Sequence, residues 1–189
     1  MRHSASRALY EHWNALRGER PAPERAEIAP EALRKVLADT LMLDLDAGPS
    51  PLVRLAGTRI CGLFARELRG TAFDALFLPG ERERALGLVQ AMAAQAQPTV
   101  VRTRGHTGDG RIAHMELLLL PLALEGHTEG RALGSIGALT VPYWVGLVPI
   151  EGMEIVAARR LPRPAHAVPA IPLPGGMPPR LTVLRGGRA

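Results

Sequence analysis

The most constraining feature of this 189-residue chain is a run near residue 115 that reads as a β-strand with apolar side chains on both faces. Successive side chains of a strand point to opposite faces. One face carries Ala113, Met115, Leu117 and Leu119, and the other carries His114, Glu116, Leu118 and Leu120. A sheet that is apolar on both sides has to be covered on both sides. The chain therefore needs two separate covering layers.

Two segments have the pattern of helices that supply such layers. Between residues 5 and 17, Leu9, Trp13 and Leu16 fall on one helical stripe, and Gly18 with the prolines that follow ends the helix. A longer helix is predicted from residue 81 to residue 97, where Pro98 closes it. We expect the first helix to cover one face of the sheet, in its own chain or exchanged between two chains. The second helix, with short helices before it, covers the other face.

The order of the remaining elements gives the fold class. Short helices occupy the stretch between residues 58 and 79, and Asp109-Gly110 is a strong signal for a hairpin turn. The chain is thus predicted to be α+β with a five-stranded antiparallel sheet. Alternating patterns predict its strands at 40–46, 52–56, 99–106, 111–120 and 132–141.

Three segments follow from this pattern. Residues 1–38 form an N-terminal helical cap, residues 39–148 form the core, and residues 149–189 form a Pro/Arg-rich C-terminal tail. Seven prolines lie between residues 161 and 179, a composition that favours an extended chain.

The order of two strands, short helices, a long connecting helix and three strands resembles the PAS fold. The stretch from Leu52 to Gly70, which ends in Leu68-Arg69-Gly70, resembles the passage of PAS domains from the second strand into the first helices. Together with Trp13-Asn-Ala-Leu-Arg-Gly18 and Leu118-Leu-Leu-Pro-Leu122, it is similar to small, stand-alone bacterial PAS-like proteins of the alphaproteobacterial type.

The resemblance implies a non-catalytic sensory or adaptor module of bacterial signal transduction that binds a signalling protein. In many PAS domains the space between sheet and helices holds a small ligand, and in many others it is filled; both alternatives stay open. The residues predicted to face it are Leu55, Ile60, Leu63, Phe64, Leu68, Phe73, Leu76, Phe77, Met115 and Leu117. Many PAS domains also dimerise through an N-terminal helix, which makes Leu9, Trp13 and Leu16 candidate interface residues of a homodimer.

The charge distribution points to two further surfaces. The formal net charge is +5, yet residues 1–158 carry 17 basic and 18 acidic side chains, whereas residues 159–189 carry six arginines and no acid. This tail is a candidate for binding phosphates or a membrane surface. Arg102, Arg104 and Arg111 cluster around the predicted hairpin as candidates for gripping an anion. Only seven aromatic residues are present, which argues against nucleic-acid binding by base stacking.

No pattern in the chain is typical of catalysis. A small α+β enzyme using His106, His114 and the nearby arginines stays as an alternative. The lone Cys61 lies where flavin-binding PAS relatives carry a reactive cysteine, but the chain's single Asn and its Gln residues are not on the strands those relatives use. The sequence therefore implies no particular cofactor, whose identity stays unknown, and no metal site is predicted. The chain shows no signal peptide and no apolar run long enough to span a membrane, so we expect a cytoplasmic protein.

Overall fold

The structure is a computed structural model that describes residues 1–124 and 127–162, with the side chains at 124 and 127–129 outside the description. Within these residues all neighbouring strands pair antiparallel in one six-stranded sheet, whose spatial order is β2-β1-β5-β4-β3-β6. The strands are β1 (Thr40–Asp44), β2 (Leu52–Ala56), β3 (Thr99–His106), β4 (Ile112–Leu124), β5 (His127–Ala138) and β6 (Gly152–Arg160).

In residues 1–124 and 127–162, three α-helices and several short 3-10 turns accompany the sheet. The N-terminal helix α1 spans Ser4–Arg17, α2 spans Thr58–Phe64 and α3 spans Arg82–Ala94. This combination confirms the predicted α+β, PAS-like fold class. The 3-10 turns span Arg25–Glu27, Pro30–Leu33, Leu37–Asp39, Phe73–Leu76 and Pro79–Glu81.

The two faces of β4 belong to two different hydrophobic clusters, as the alternation predicted. Met115 and Leu117 point to the inner face, where they pack with residues of α2, α3 and the Phe73–Leu76 turn. Leu118 and Leu120 point to the outer face, where they pack with α1. All four side chains are fully buried. The sheet therefore has a separate cover on each side.

Helix α1 is the cover of the outer face, within its own chain. Leu9 and Trp13 are each only 1% exposed. The Trp13 indole Nε1 donates a hydrogen bond to the Pro121 carbonyl at 2.7 Å, and the Ser6 and Ser135 hydroxyls are hydrogen-bonded at 3.0 Å. Burial of the apolar stripe supplies most of the attachment, and these polar contacts fix where along the sheet the helix lies.

The sheet has one strand more than the five that the sequence pattern predicts. Strand β6 pairs with β3 and lies inside the segment 149–189 that the sequence analysis assigns to the tail. Its pairing shifts register opposite Arg102 and Thr103, so Val156 is an additional residue that has no partner on β3. Because only Met153 and Ile155 keep the alternating pattern, the strand is hard to recognise in the sequence.

A second irregularity overturns one predicted core residue. The pairing of β1 with β2 shifts between Met42 and Leu43, which face Leu55 and Val53. The bulge at Arg54 puts Val53 and Leu55 on opposite faces of the sheet. Val53 is 1% exposed in the inner cluster, whereas Leu55 is 40% exposed. The prediction that Leu55 faces the interior is therefore wrong.

Candidate functional site

The outer face of the sheet changes from apolar to charged across strands β4, β3 and β6. Directly opposite residues of antiparallel strands point to the same face, so the pairing arranges the side chains in rows. The first row has two apolar residues and one arginine, and each of the next two rows contains charged residues. From β4 to β6, these rows are Leu118, Val100 and Arg159; then Glu116, Arg102 and Ala157; then His114, Arg104 and Glu154.

This charged part of the face forms two neighbouring hollows of about 420 Å³ each. Arg2, which precedes α1, and Arg102 of β3 line both hollows. We call this region the arginine groove, because four of its lining residues are arginines. The groove is defined by Arg2, Arg102, Arg104, His114, Val156 and Arg159.

Glu116 marks the boundary between the groove and the part of the face under α1. Its side chain is 2% exposed, and its carboxylate accepts the backbone N–H groups of Arg2 at 2.8 Å and His3 at 3.1 Å. Hydrogen bonds to an ionised acceptor are stronger than those between neutral groups. Glu116 thus holds the segment that leads into α1 and at the same time lines the groove.

The arginines of the groove differ in how far their charge is neutralised. Arg104 lies 3.4 Å from a carboxylate oxygen of Glu154, whose second oxygen lies 2.9 Å from His106 Nε2. The hydrogen bond from His106, with the positive charge of Arg104 nearby, holds the pKa of the Glu154 carboxyl below its ordinary value. Arg2, Arg102 and Arg159 are exposed and form no ion pair within the described ranges. The arginines therefore outnumber the carboxylates of the groove, and three of them form no ion pair among the described residues.

The structure separates the three arginines that the sequence groups as anion ligands. Arg102 and Arg104 line the groove, but Arg111 does not. Arg111 Nε lies 3.1 Å from Asp109, and its guanidinium lies 5.9 and 5.8 Å from the ring centroids of Tyr143 and Trp144. The reason is that Arg111 stands in the turn before β4, whereas the other two lie within β3.

The two histidines of the alternative enzyme site share the outer face without forming a catalytic pair. His106 is hydrogen-bonded to Glu154, and His114 lies across from Arg104 on the neighbouring strand. His114 is exposed in the groove. Over the part of the chain that the structure describes, no three His, Cys, Asp or Glu side chains cluster as metal ligands do.

Nine of the ten residues predicted to line an internal pocket belong to the inner hydrophobic cluster, Leu55 being the exception. Phe73 and Phe77 pack edge to face there, with ring centroids 5.2 Å apart. The side chains that would have to move for a ligand to enter are thus those that hold α2 and the 3-10 turns to the sheet. Cys61 is half-buried beside this cluster, with its sulfur 3.8 Å from the Ala56 carbonyl and from Glu67.

The exposed apolar side chains are not those of the predicted interface stripe. Leu9, Trp13 and Leu16, the predicted interface stripe, pack against the chain's own sheet. By contrast, the loop between β5 and β6 exposes Val141 by 75%, Tyr143 by 82% and Leu147 by 78%. Arg2 is not predicted as a site residue, and Arg159 is grouped by the sequence only with the C-terminal tail. No local pattern marks them, because only the pairing of distant strands brings them beside Arg102.

The family follows from comparison with known proteins. A family model described as PAS domain matches residues 1–137. The chain belongs to the PAS domain family. The match includes α1 and every strand up to β5, so the cover of the outer face lies within the matched part of this PAS domain. PAS domains are typically sensory modules in signal transduction.

Solved structures resemble this PAS domain at low identity. A light-oxygen-voltage domain studied with a flavin analogue is 17% identical with a TM-score of 0.49, covering 62% of this chain and 90% of its own. The PAS domain of a protein from Colwellia psychrerythraea is 17% identical with a TM-score of 0.47, covering 58% and 95%. A light-oxygen-voltage protein of Rhodobacter sphaeroides is 17% identical with a TM-score of 0.45, covering 54% and 59%.

Comparison with curated protein sequences gave no match. Among the described helices, none has the length and hydropathy that crossing a membrane requires.

Proposed function

We propose that this PAS domain is a non-catalytic sensory or adaptor module of bacterial signal transduction, acting in the cytoplasm by binding a partner protein. The partner contacts the outer face of the sheet at the arginine groove and the adjoining start of α1. Binding there changes how firmly α1 is held, and so changes the surface that the module presents. A small ligand in the core is a second input that acts through the packing of the inner cluster.

The observation that carries this proposal is the double role of Glu116. Its carboxylate binds the backbone that leads into α1, and the same residue lines the groove next to Arg102. A partner that engages Arg2 or Arg102 therefore acts on the attachment of α1 without having to reach its buried stripe. A binding event shifts an equilibrium only through contacts that differ between the two states, and the start of α1 supplies such contacts.

Site-specific crosslinking in the native host tests this proposal. A photo-reactive amino acid at position 156, which is exposed in the groove, is compared with the same residue at position 66, which is exposed on the loop after α2. We expect a crosslink to one signalling protein from position 156 and none to that protein from position 66. The purified complex should then show altered amide hydrogen exchange in residues 4–10 of α1.

Three outcomes contradict the proposal. One is a partner that crosslinks from position 66 and not from position 156. Another is a partner bound at position 156 that leaves exchange in α1 unchanged. The third is turnover of a substrate that depends on His106 and His114, which supports the alternative of a small enzyme.

The predicted homodimer is examined with the same purified protein. If the stripe of Leu9, Trp13 and Leu16 is exchanged between two chains, deletion of residues 1–20 converts a dimer into a monomer. If the stripe serves only its own chain, the deletion lowers the melting temperature without changing a monomeric starting state. Sedimentation of the full chain and of the deletion variant separates the two arrangements.

A further inference from the structure

We infer that the partner segment that occupies the arginine groove is an acidic peptide segment that also carries an apolar side chain. This inference rests on the proposed function and names the chemistry of the partner. Its basis is charge complementarity, because Arg2, Arg102 and Arg159 are exposed and form no ion pair in the described part of the chain. Arginine pairs with carboxylates through two parallel hydrogen bonds, which gives geometry as well as attraction.

The lining of the groove also includes apolar surface. Val156, which is displaced by the bulge in β6, is 41% exposed, and Leu139 and Ala157 line the two hollows. An occupant with carboxylates alone would leave this surface in water. An apolar side chain between acidic residues removes it from water while the carboxylates reach the arginines.

A partner strand cannot pair with the outer edge of β6 along the first half of that strand. The Met153 carbonyl accepts a hydrogen bond from the Leu78 backbone N–H, and the Ile155 backbone N–H donates to Glu81. These contacts occupy the edge where a further strand would pair. At this half of β6 the partner therefore lies on the face of the sheet, over the side chains of β3 and β6.

The positive charge of the groove excludes two possible occupants, which are the chain's own C-terminal residues and a second copy of the chain. The chain's own residues 163–189 contain four arginines and no acidic residue, so the positively charged groove repels them. In a two-fold dimer formed through this face, Arg102 and Arg159 of one copy would lie against the equivalent arginines of the other copy, and their charges would repel. An acidic segment of another protein meets no such repulsion.

Binding of a ten-residue oligoglutamate peptide to the full chain, measured by fluorescence anisotropy at two salt concentrations, tests the inference. We expect binding that weakens with salt, and that weakens about tenfold or more in Arg102→Glu and in Arg159→Glu. Arg102→Lys keeps the charge and retains part of the affinity. An oligolysine peptide of equal length should not bind. Thermal melting of each variant establishes that it is folded.

Two matched controls define specificity. Arg66→Glu changes an exposed arginine after α2 by the same two charges, and the triple variant Arg180→Glu, Arg185→Glu, Arg188→Glu changes the tail. Neither should weaken binding as Arg102→Glu does. Equal weakening in a control would show attraction to net charge alone and would overturn the inference. Binding of phosphatidylglycerol vesicles that depends on Arg102, without binding of oligoglutamate, would also overturn it in favour of a lipid surface.

The inference and the proposed function fail separately. A partner protein that crosslinks from position 156 but binds Arg102→Glu with the affinity of the original chain overturns the acidic segment and leaves the proposed function standing. Oligoglutamate that binds at the groove while crosslinking from position 156 finds no partner supports the charge recognition and contradicts the proposed function.

Discussion

The two halves of the outer sheet face meet on strand β4 and differ in what lies on them. Over β1, β5 and the distal part of β4, the face is apolar and is buried by α1 and by the segment that follows it. Over β3, β6 and the proximal part of β4, the face carries arginine, histidine and glutamate and stays open. The change occurs within β4, between Glu116 and Leu118. One strand thus supplies both a surface that α1 buries and a charged surface that stays exposed.

This difference separates stability from recognition. Burial of apolar side chains stabilises the fold in proportion to the area removed from water, whereas exposed charges contribute little to stability. Substitutions under α1 should therefore affect unfolding far more than substitutions in the groove. Substitutions in the groove should affect binding instead.

Trp13→Ala should give the largest loss of stability. Trp13 is 1% exposed and its indole N–H is bonded to the Pro121 carbonyl, so its removal leaves both a cavity and an unpaired acceptor. We expect the free energy of unfolding to fall by about 3–5 kcal/mol. Denaturant titration measures it. The exposed Glu11 on the same helix is the control, and Glu11→Ala should change stability by less than about 0.5 kcal/mol. Similar effects of the two variants would mean that α1 does not cover the sheet.

Val53 and Leu55 on β2 form a matched pair that tests the bulge. Val53 is buried and Leu55 is 40% exposed, so Val53→Ala should cost about 2 kcal/mol and Leu55→Ala less than about 0.5 kcal/mol. Unbroken alternation would bury both side chains on the inner face. Comparable losses in the two variants, measured by the same titration, would show that the bulge is absent.

Glu116→Gln should have an intermediate effect at the boundary between the two halves. The substitution keeps one oxygen acceptor and removes the charge, so one of the hydrogen bonds from Arg2 and His3 is lost and the other is weakened. We expect a loss of about 1–2 kcal/mol. Amide exchange at residue 3, whose N–H is bound by Glu116, and at residue 7, whose N–H is bound by the His3 carbonyl, should also become faster than in the original chain. Unchanged exchange there would contradict the role of Glu116 in holding the start of α1.

Glu154→Gln should have the smallest effect, and that effect should depend on pH. Because hydrogen bonding to His106 lowers the pKa of Glu154 in the folded protein, the ionised carboxylate stabilises the fold above its ordinary pKa of 4.5. This contribution is lost as the pH falls through the lowered folded-state pKa. The stability difference between the original chain and Glu154→Gln should therefore shrink on acidification below pH 4.5. A difference that grows over that interval would contradict the assigned direction.

The sequence was informative where the pattern is local. The stripe of Leu9, Trp13 and Leu16 lies within one helix, and the two-faced apolar run lies within one strand, so periodicity alone predicted both covers. A β-bulge interrupts the alternation, because one additional residue moves every later side chain to the opposite face of the sheet. That is why Leu55 was wrongly predicted to face the interior and why β6 was missed.

The groove is harder to predict because its residues are distant in the chain. Arg2, Arg102 and Arg159 come together only after β3 has paired with β4 and β6. Sequence proximity instead grouped Arg102 with Arg111, which the turn before β4 directs toward Tyr143 and Trp144. Charge clusters built by strand pairing thus need the register of the sheet, which single-sequence patterns do not supply.

The central claim is that binding in the arginine groove changes how firmly α1 is held to the sheet. Amide hydrogen exchange of the full chain, with and without a saturating ten-residue oligoglutamate peptide, tests it most directly. The account predicts altered exchange at residues 4–10 together with slower exchange in β3 and β6, and no change in α2. Peptide-induced changes confined to residues 163–189, or slower exchange in β3 and β6 with α1 unaffected, would contradict it.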